Sequence, residues 1–237
     1  MEAEISTQVV DVREEGVGAK TIRLAVPPDF SFTPGMWVMV QFPDKREHAG
    51  AYSISTSPFE KGYIEISLCK AGALSERLYC LRGDETLLLR GPYGKWIYHD
   101  DVGHAVLISD GTGVTPFRSM ARYALAKKLP NKITILYSTR TPGSFLYRDE
   151  LERFKASGID VYLTVTHPEE AAGQAWNGPR GPIDIGVIER QVPGFSKAVY
   201  YLCGPQGLVE NLTSELLKRR VPQNHIRYEK WGDYAWA

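Results

Sequence analysis

Three short stretches of this 237-residue chain carry residue types at spacings suited to holding a nucleotide-like ligand. "GAYSIST", residues 50 to 56, sets one aromatic, Tyr52, among the hydroxyls of Ser53, Ser55 and Thr56, with Gly50 near its head. A flat polar ligand needs such a seat, because an aromatic with a hydroxyl handle offers both a face and a hydrogen bond. Read alone, the stretch is equally a solvated surface strand. "VLISDGTGVTPF" ends an apolar run in Gly111, Thr112 and Gly113, with a helical pattern from about Pro116. Glycines there allow a tight turn and close backbone approach, and the helix start offers unpaired N–H groups to a phosphate. An ordinary strand-to-helix turn has the same form. Asp110 opposes the phosphate reading, since a carboxylate repels a pyrophosphate, and it must point away or be screened. "YLCGPQG" repeats the layout: Cys203 sits at the tip of an apolar run, and Gly204 and Pro205 turn into a helix. A free cysteine there is either a cleft residue or a small buried core residue.

The elements that position these stretches change character near residue 100. Before it, "STQVVDVREE", "AKTIRLAVP", "GMWVMVQFP", "GAYSISTSP", "YIEISLCKAG" and "ETLLLRGPYG" read as short strands between turn signals, at the spacing of a sandwich or barrel. A helical insertion is expected at "ALSERLYCLRG", where Leu74, Leu78 and Leu81 share a face and Ser75 is the expected N-cap. Beyond it, the strand runs "HAVLISD", "NKITILYSTR", "DVYLTVTHP" and "KAVYYLC" alternate with helical runs, which means βαβ units and a parallel sheet. The fold class expected is an antiparallel β-barrel over residues 1–100 followed by an open parallel, Rossmann-like α/β domain over residues 101–237. In such a sheet, ligands sit outside the carboxyl ends of the strands.

Composition excludes several classes. The 28 basic residues balance 28 acidic ones, so no overall field draws nucleic acid or anionic membrane. The start lacks a signal-peptide pattern, and no apolar run approaches the ~18 residues of a membrane span, so a cytoplasmic location is expected. Three scattered cysteines, Cys69, Cys80 and Cys203, suit neither a disulfide framework nor an iron–sulfur cluster, and no metal is expected.

Taken in order, the motifs resemble the ferredoxin–NADP reductase family of flavoproteins. "TPGMWVMVQFP" is similar to its Pro-Gly-Gln strand, "GAYSIST" to its Arg-x-Tyr-Ser flavin motif and "KAGALS" to its flavin-phosphate segment. "GPYG" resembles its barrel-closing turn, "GTGVTP" and "LCGP" its nicotinamide-nucleotide segments, and "RYEKW" its C-terminal glutamate-plus-aromatic segment. The resemblance implies a flavoprotein that passes electrons from NADH or NADPH through FAD, with FMN as the alternative, to a separate acceptor such as a ferredoxin or an oxygenase component. It also allows a flavin reductase that uses flavin as substrate, or an electron-transfer subunit of a larger complex. Carried over by residue, it implies that Tyr52 lies against the flavin ring, Ser53 bonds near its reactive nitrogen, and the backbone at Ile54 and Ser55 meets its pyrimidine edge. Gly72, Ala73, Leu74 and Ser75, with Lys70, hold phosphate. Gly111, Thr112, Gly113, Gly204 and Pro205 receive the nicotinamide nucleotide, with Arg140 at its ribose end. Thr115 approaches the flavin, Cys203 and Glu229 flank the nicotinamide, and Trp231, or Tyr234 or Trp236, covers the flavin. Ser53, Cys203 and Glu229 are the catalytic residues implied.

Two departures matter. Gly50 stands where the family has arginine, so Lys45, Arg46, His48 or Lys70 must supply the phosphate's counter-charge. "TVTHPEE" offers Glu169 and Glu170 where a 2′-phosphate would need cations, which inclines the chain toward NADH.

Overall fold

The computed structural model describes residues 4–170 and 175–231, with side chains through Lys230. These fall into two compact units. The first runs through Tyr98 and includes Thr115–Lys127; the second comprises His99–Val114 and the chain from Lys128 onward.

The first unit is an antiparallel sheet of six strands: β1 (Glu4–Glu14), β2 (Ala19–Ala25), β3 (Trp37–Gln41), β4 (Ala49–Ser53), β5 (Tyr63–Cys69) and β6 (Thr86–Tyr93). All six coincide with the strands read from the sequence. Their order is β4-β3-β6-β1-β2-β5. The two-residue period of a strand puts Val38 and Val40, Ile64 and Ile66, and Leu87 and Leu89 on one inner face, where all six are fully buried. The Ser55 N–H donates to the Glu65 carbonyl at 2.8 Å, which brings the sheet's outer strands together. The turn before β3 requires glycine. Gly35 has φ +104°, and a Cβ there would lie 2.4 Å from the Trp96 carbonyl oxygen.

Two helices belong to this unit. Helix α1 (Ala73–Tyr79) starts at Gly72 rather than at Ser75. Ser75 lies inside the first turn, its hydroxyl donating to the Gly72 carbonyl (2.9 Å) and accepting from the Ala71 N–H (2.7 Å). It therefore holds the entry loop from within the helix. Helix α2 (Thr115–Lys127) follows the residue-100 boundary in sequence, yet its contacts lie with the strands before it. Phe117 packs on Trp96, and Tyr123 stacks on Phe59 at 5.6 Å. The Ser119 hydroxyl donates to the Thr56 carbonyl, and Arg122 pairs with Glu60.

The strongest tie is Arg118, which is buried and donates to Glu65 Oε2 (2.6 Å) and to the Ser55 hydroxyl (3.1 Å). Glu65 is only 1% exposed and also receives Arg13 (2.6 Å) and Arg23 (2.8 Å) on its other oxygen. Burial alone would raise its pKa. The Arg118 charge and hydrogen bond, helped by Arg23 and Arg13, outweigh that and hold it at about 2.

The second unit is a parallel sheet of β7 (His104–Asp110), β8 (Lys132–Thr139), β9 (Asp160–Val165), β10 (Val199–Pro205) and β11 (Ile226–Trp231), ordered β11-β10-β7-β8-β9. Helices α3 (Arg148–Ala156), α4 (Ile185–Gln191) and α5 (Gln206–Lys218) complete it. Its inner strands read as unbroken apolar runs because both faces are covered, as at Ala105–Ile108. The Asp184 side chain caps α4 by accepting the Val187 N–H at 2.8 Å. Strand β11 was not read from the sequence. Its charged "RYEK" suits an edge, where charge on the exposed side discourages further pairing. Among the described residues no helix is long and apolar enough to cross a membrane.

The Glu65 network predicts an acid-sensitive fold. The carboxyl's folded pKa of about 2 lies below its ordinary 4.5, so its contribution is complete above pH 4.5 and is lost as pH falls toward 2. A shift of this size corresponds to roughly 3 kcal/mol. Urea unfolding across that window should show stability falling with pH. Glu65→Gln, which leaves the buried Arg118 guanidinium without its anion, should cost about 3–5 kcal/mol at pH 7 and reduce the acid slope. An unchanged slope in the variant would remove Glu65 as the titrating group.

Candidate cofactor-binding surfaces

In the first unit, β4 pairs with β3 so that Tyr52 lies opposite Val38 and Ser53 opposite Trp37. Residues two apart share a strand face, so Gly50 and Tyr52 do. A Cβ at Gly50 would lie 2.7 Å from Leu74 Cδ2 and 2.9 Å from Tyr52 Cε2. The bare glycine thus lets the Tyr52 ring lie back along its own strand while Leu74 of α1 closes over it. Tyr52 and Ser53 remain half-buried. Ile54 and Ser55 turn inward and are fully buried. The Ile54 N–H donates to the Met36 carbonyl (3.0 Å) and the Ser55 N–H to that of Glu65. The hydrogen-bonding edge expected at these two residues therefore has both N–H groups engaged within the unit.

At α1, the first-turn N–H groups of Ala73, Leu74 and Ser75 have no acceptor within the helix. Gly72 precedes them at φ +133°, a conformation that suits glycine. Of the cations expected to replace an arginine at position 50, Arg46 pairs with Glu4 (3.1 Å), and the Lys70 ammonium lies 4.5 Å over the Tyr79 ring. Arg77 is a further cation here, beyond those expected from the sequence. Three residues beyond Leu74, it shares that helix face, lies 3.7 Å over the Phe42 ring and donates to Asp44 at 2.8 Å. Its spacing from Leu74 was the available signal.

In the second unit, the carboxyl ends of β7, β8, β10 and β11 carry the expected nucleotide residues. Gly111, at φ +53°, opens a tight helical turn over Gly111–Val114 that holds Thr112 and Gly113. The Asp110 carboxyl accepts a hydrogen bond from the Ser138 hydroxyl at 2.7 Å. Burial pushes this carboxyl upward, and the Ser138 bond opposes the shift only in part. The Ser138 hydroxyl thus screens the carboxylate whose repulsion the sequence anticipated. Ser138 itself was not foreseen. A Cβ at Gly204 would crowd Leu208 Cδ2 at 3.1 Å, so glycine lets the first turn of α5 pack close over the β10 tip. Pro205 closes β10, and α5 begins at the next residue.

Cys203 is fully buried. Burial pushes its thiol well up, and the Glu229 charge adds to this, so it stays neutral and unreactive. Glu229 lies beside it in the β10–β11 register, half-buried, and burial pushes its carboxyl up to about 7. Arg140, just past β8, forms a two-point pair with Glu170, and Arg148 lies 5.8 Å over the Trp176 ring. Thr115 is buried as the first residue of α2. Trp231 ends β11 opposite Pro205; its side chain, and Tyr234 and Trp236, lie outside the described residues.

The first unit thus offers an aromatic-hydroxyl strand beside a helix start flanked by cations. The second offers glycine turns, a screened carboxyl and a carboxyl titrating near neutrality. Comparison with known proteins finds two domain families in the same order, with α2 inside the second match. Residues 7–98 match the oxidoreductase FAD-binding domain, and residues 107–213 match the oxidoreductase NAD-binding domain. Ferredoxin–NADP reductase B of Sorangium cellulosum is 31% identical over 215 residues, covering 85% of this chain and 86% of that protein. The reductase component of propane 2-monooxygenase from Rhodococcus jostii is 26% identical over 98% of this chain, which spans 65% of that protein. A solved ferredoxin NADP+ reductase from Neisseria gonorrhoeae, with bound FAD and NADP, shares the fold at a TM-score of 0.81 and 16% identity, covering 96% of this chain and 98% of that one. With both domain families matched in order and a reductase relative aligned along most of both proteins, the chain belongs to the ferredoxin–NADP reductase family, as an FAD-dependent NAD(P)H oxidoreductase.

Proposed function

We propose that this chain takes electrons from a reduced nicotinamide nucleotide and delivers them to a separate redox protein, of the ferredoxin or oxygenase-component type. The observation that carries this reading is the pairing, in one chain, of the Tyr52–Ser53 strand and α1 start with the glycine turns and Glu229 of the parallel sheet. The names of the Sorangium and Rhodococcus relatives support the acceptor class. Three cysteines scattered in sequence support an acceptor centre outside these 237 residues.

The residues fit FAD. Tyr52 presents an aromatic body, and the Gly50–Leu74 face beside it is built from small and apolar groups. The α1 amides, with Lys70 and Arg77 nearby in the chain, suit phosphate. FAD held there would supply the redox chemistry between nucleotide and acceptor. Ser53, half-buried beside Tyr52, would offer the flavin its hydroxyl as a hydrogen-bond partner. Gly111, Gly113 and Gly204 let backbone approach the dinucleotide closely. Cys203, a fully buried neutral thiol, acts by packing at the tip of β10 rather than in the chemistry. Glu229, anionic above about pH 7, steadies the positive charge that develops on the nicotinamide as its hydride leaves.

A second reading, flavin as a passing substrate, draws on one observation: the position-50 face carries Leu74 and Tyr52 rather than a cation. Flavin stoichiometry separates the two. The purified protein should be yellow, hold close to one FAD per chain and be bleached by NADH; a colourless protein that binds no flavin would overturn both.

Two variants test the residue roles. In stopped-flow reduction by NADH, the rate should rise as pH passes through about 7, and Glu229→Gln should remove that inflection and slow reduction roughly tenfold or more. A wild-type rate flat across neutrality would exclude this role. Gly50→Ala must displace Leu74 or the Tyr52 ring, both side-chain ends that can move, so the fold should survive. FAD affinity, followed by quenching of its fluorescence, should fall several-fold, by about 1 kcal/mol. Unchanged affinity would place the ring elsewhere.

A further inference from the structure

In a βαβ nucleotide fold, the residue at the end of the second strand reads the ribose 2′ position: an acid accepts the hydroxyl of NAD, and a nearby arginine accommodates the phosphate of NADP. In this chain the glycine turn follows β7, and β8 is the next strand and its direct neighbour. Strand β8 ends at Thr139, and Arg140 follows it. An arginine there would by itself suit a 2′-phosphate. The guanidinium is already engaged, however. Arg140 Nε donates to Glu170 Oε2 at 2.5 Å, and a terminal nitrogen donates to Oε1 at 2.6 Å. This side-on, two-point geometry is the one a phosphate would use.

Backbone, rather than chance side-chain reach, brings Glu170 to this place. Past the ends of β8 and β9, the Thr166 N–H donates to the Thr139 carbonyl (2.9 Å) and the His167 N–H to the Arg140 carbonyl (2.8 Å). Those bonds hold the loop carrying Glu170 beside Arg140, and the Glu170 N–H in turn bonds the His167 carbonyl. The shared hydrogen bond holds Arg140 above its ordinary pKa and Glu170 below its own, so both stay charged. Glu169 adds a second negative charge that acts on Arg140.

We propose that Glu170, by occupying the Arg140 guanidinium, is the specificity-determining residue that makes this chain prefer NADH to NADPH. A 2′-phosphate must displace one carboxylate and approach another. A 2′-hydroxyl is neutral, and it can donate to a Glu170 oxygen while the ion pair stays closed. The proposal rests on reading the second unit as the NAD(P)H site.

The test is flavin reduction by NADH and by NADPH, compared as kcat/KM, for the wild-type chain, Glu170→Gln and Glu170→Gln with Arg140→Leu. The wild type should favour NADH. Glu170→Gln should raise efficiency with NADPH roughly fivefold and lower it with NADH about twofold, the scale of one exposed charge-assisted contact. Adding Arg140→Leu should abolish the gain with NADPH, since the freed guanidinium is what captures the phosphate. Both residues are exposed, so the variants should fold, which their melting temperatures would show. A wild type that prefers NADPH, or a Glu170→Gln protein whose nucleotide ratio stays put while NADH still reduces it, would overturn the proposal and leave the reductase reading intact. Reduction by neither nucleotide would overturn the reading of the site, and this proposal with it.

Discussion

One buried carboxylate organises the first unit. Glu65 accepts Arg13 and Arg23 on one oxygen and Arg118 on the other, and its backbone carbonyl takes both the N–H and the hydroxyl of Ser55. Burying a carboxylate is costly, and a single guanidinium seldom repays the cost; the several donors here turn it into a net anchor. The anchor joins segments far apart in sequence: β1, β2, the end of the Tyr52–Ser53 strand, and α2. Ser55 lies three residues beyond Tyr52, so the pinned end of the strand also limits how the aromatic can move. Arg118 is one of several ties, with Phe117, Ser119, Arg122 and Tyr123, that place α2 with the first unit.

The second unit is arranged by close approach rather than by charge. Gly111 reaches a left-handed backbone conformation, and Gly204 leaves room for Leu208 at the start of α5. Where a carboxyl does sit at this rim, its surroundings push it toward the neutral form: burial acts on both Asp110 and Glu229. Burial carries Glu229 to about 7, which leaves one titratable group near physiological pH at these strand ends.

Charge pairs in this protein thus divide by environment. The Glu65–Arg118 pair is buried and structural. The Arg140–Glu170 pair is solvated and contributes little to stability, as exposed pairs do. A pair that stability does not need can be opened or exchanged at small cost, which suits a place where one ligand must be told from another. Arg77 with Asp44, on the first unit, is of the same exposed kind.

The sequence by itself determined what depends on neighbours along the chain. Alternation gave away the six barrel strands, apolar runs with intervening helical spacing gave the parallel sheet, and the glycines at 111, 113 and 204 marked the turns, because period and backbone freedom are local properties. The ordered motifs from "TPGMW" to "RYEKW" identified the family. Tertiary structure decided the rest. Glu65 looks like a solvent-facing residue of an alternating strand until arginines from 42 to 53 residues away converge on it. Ser138 screens Asp110 across 28 residues, and Glu170 occupies Arg140 across 30. Strand β11 forms only because β10 presents an edge, and α2 joins the earlier unit because its ring, hydroxyl and charge contacts lie there. Long-range pairing of polar groups leaves no periodic trace in a sequence, since any one of these side chains, read alone, is equally at home in water.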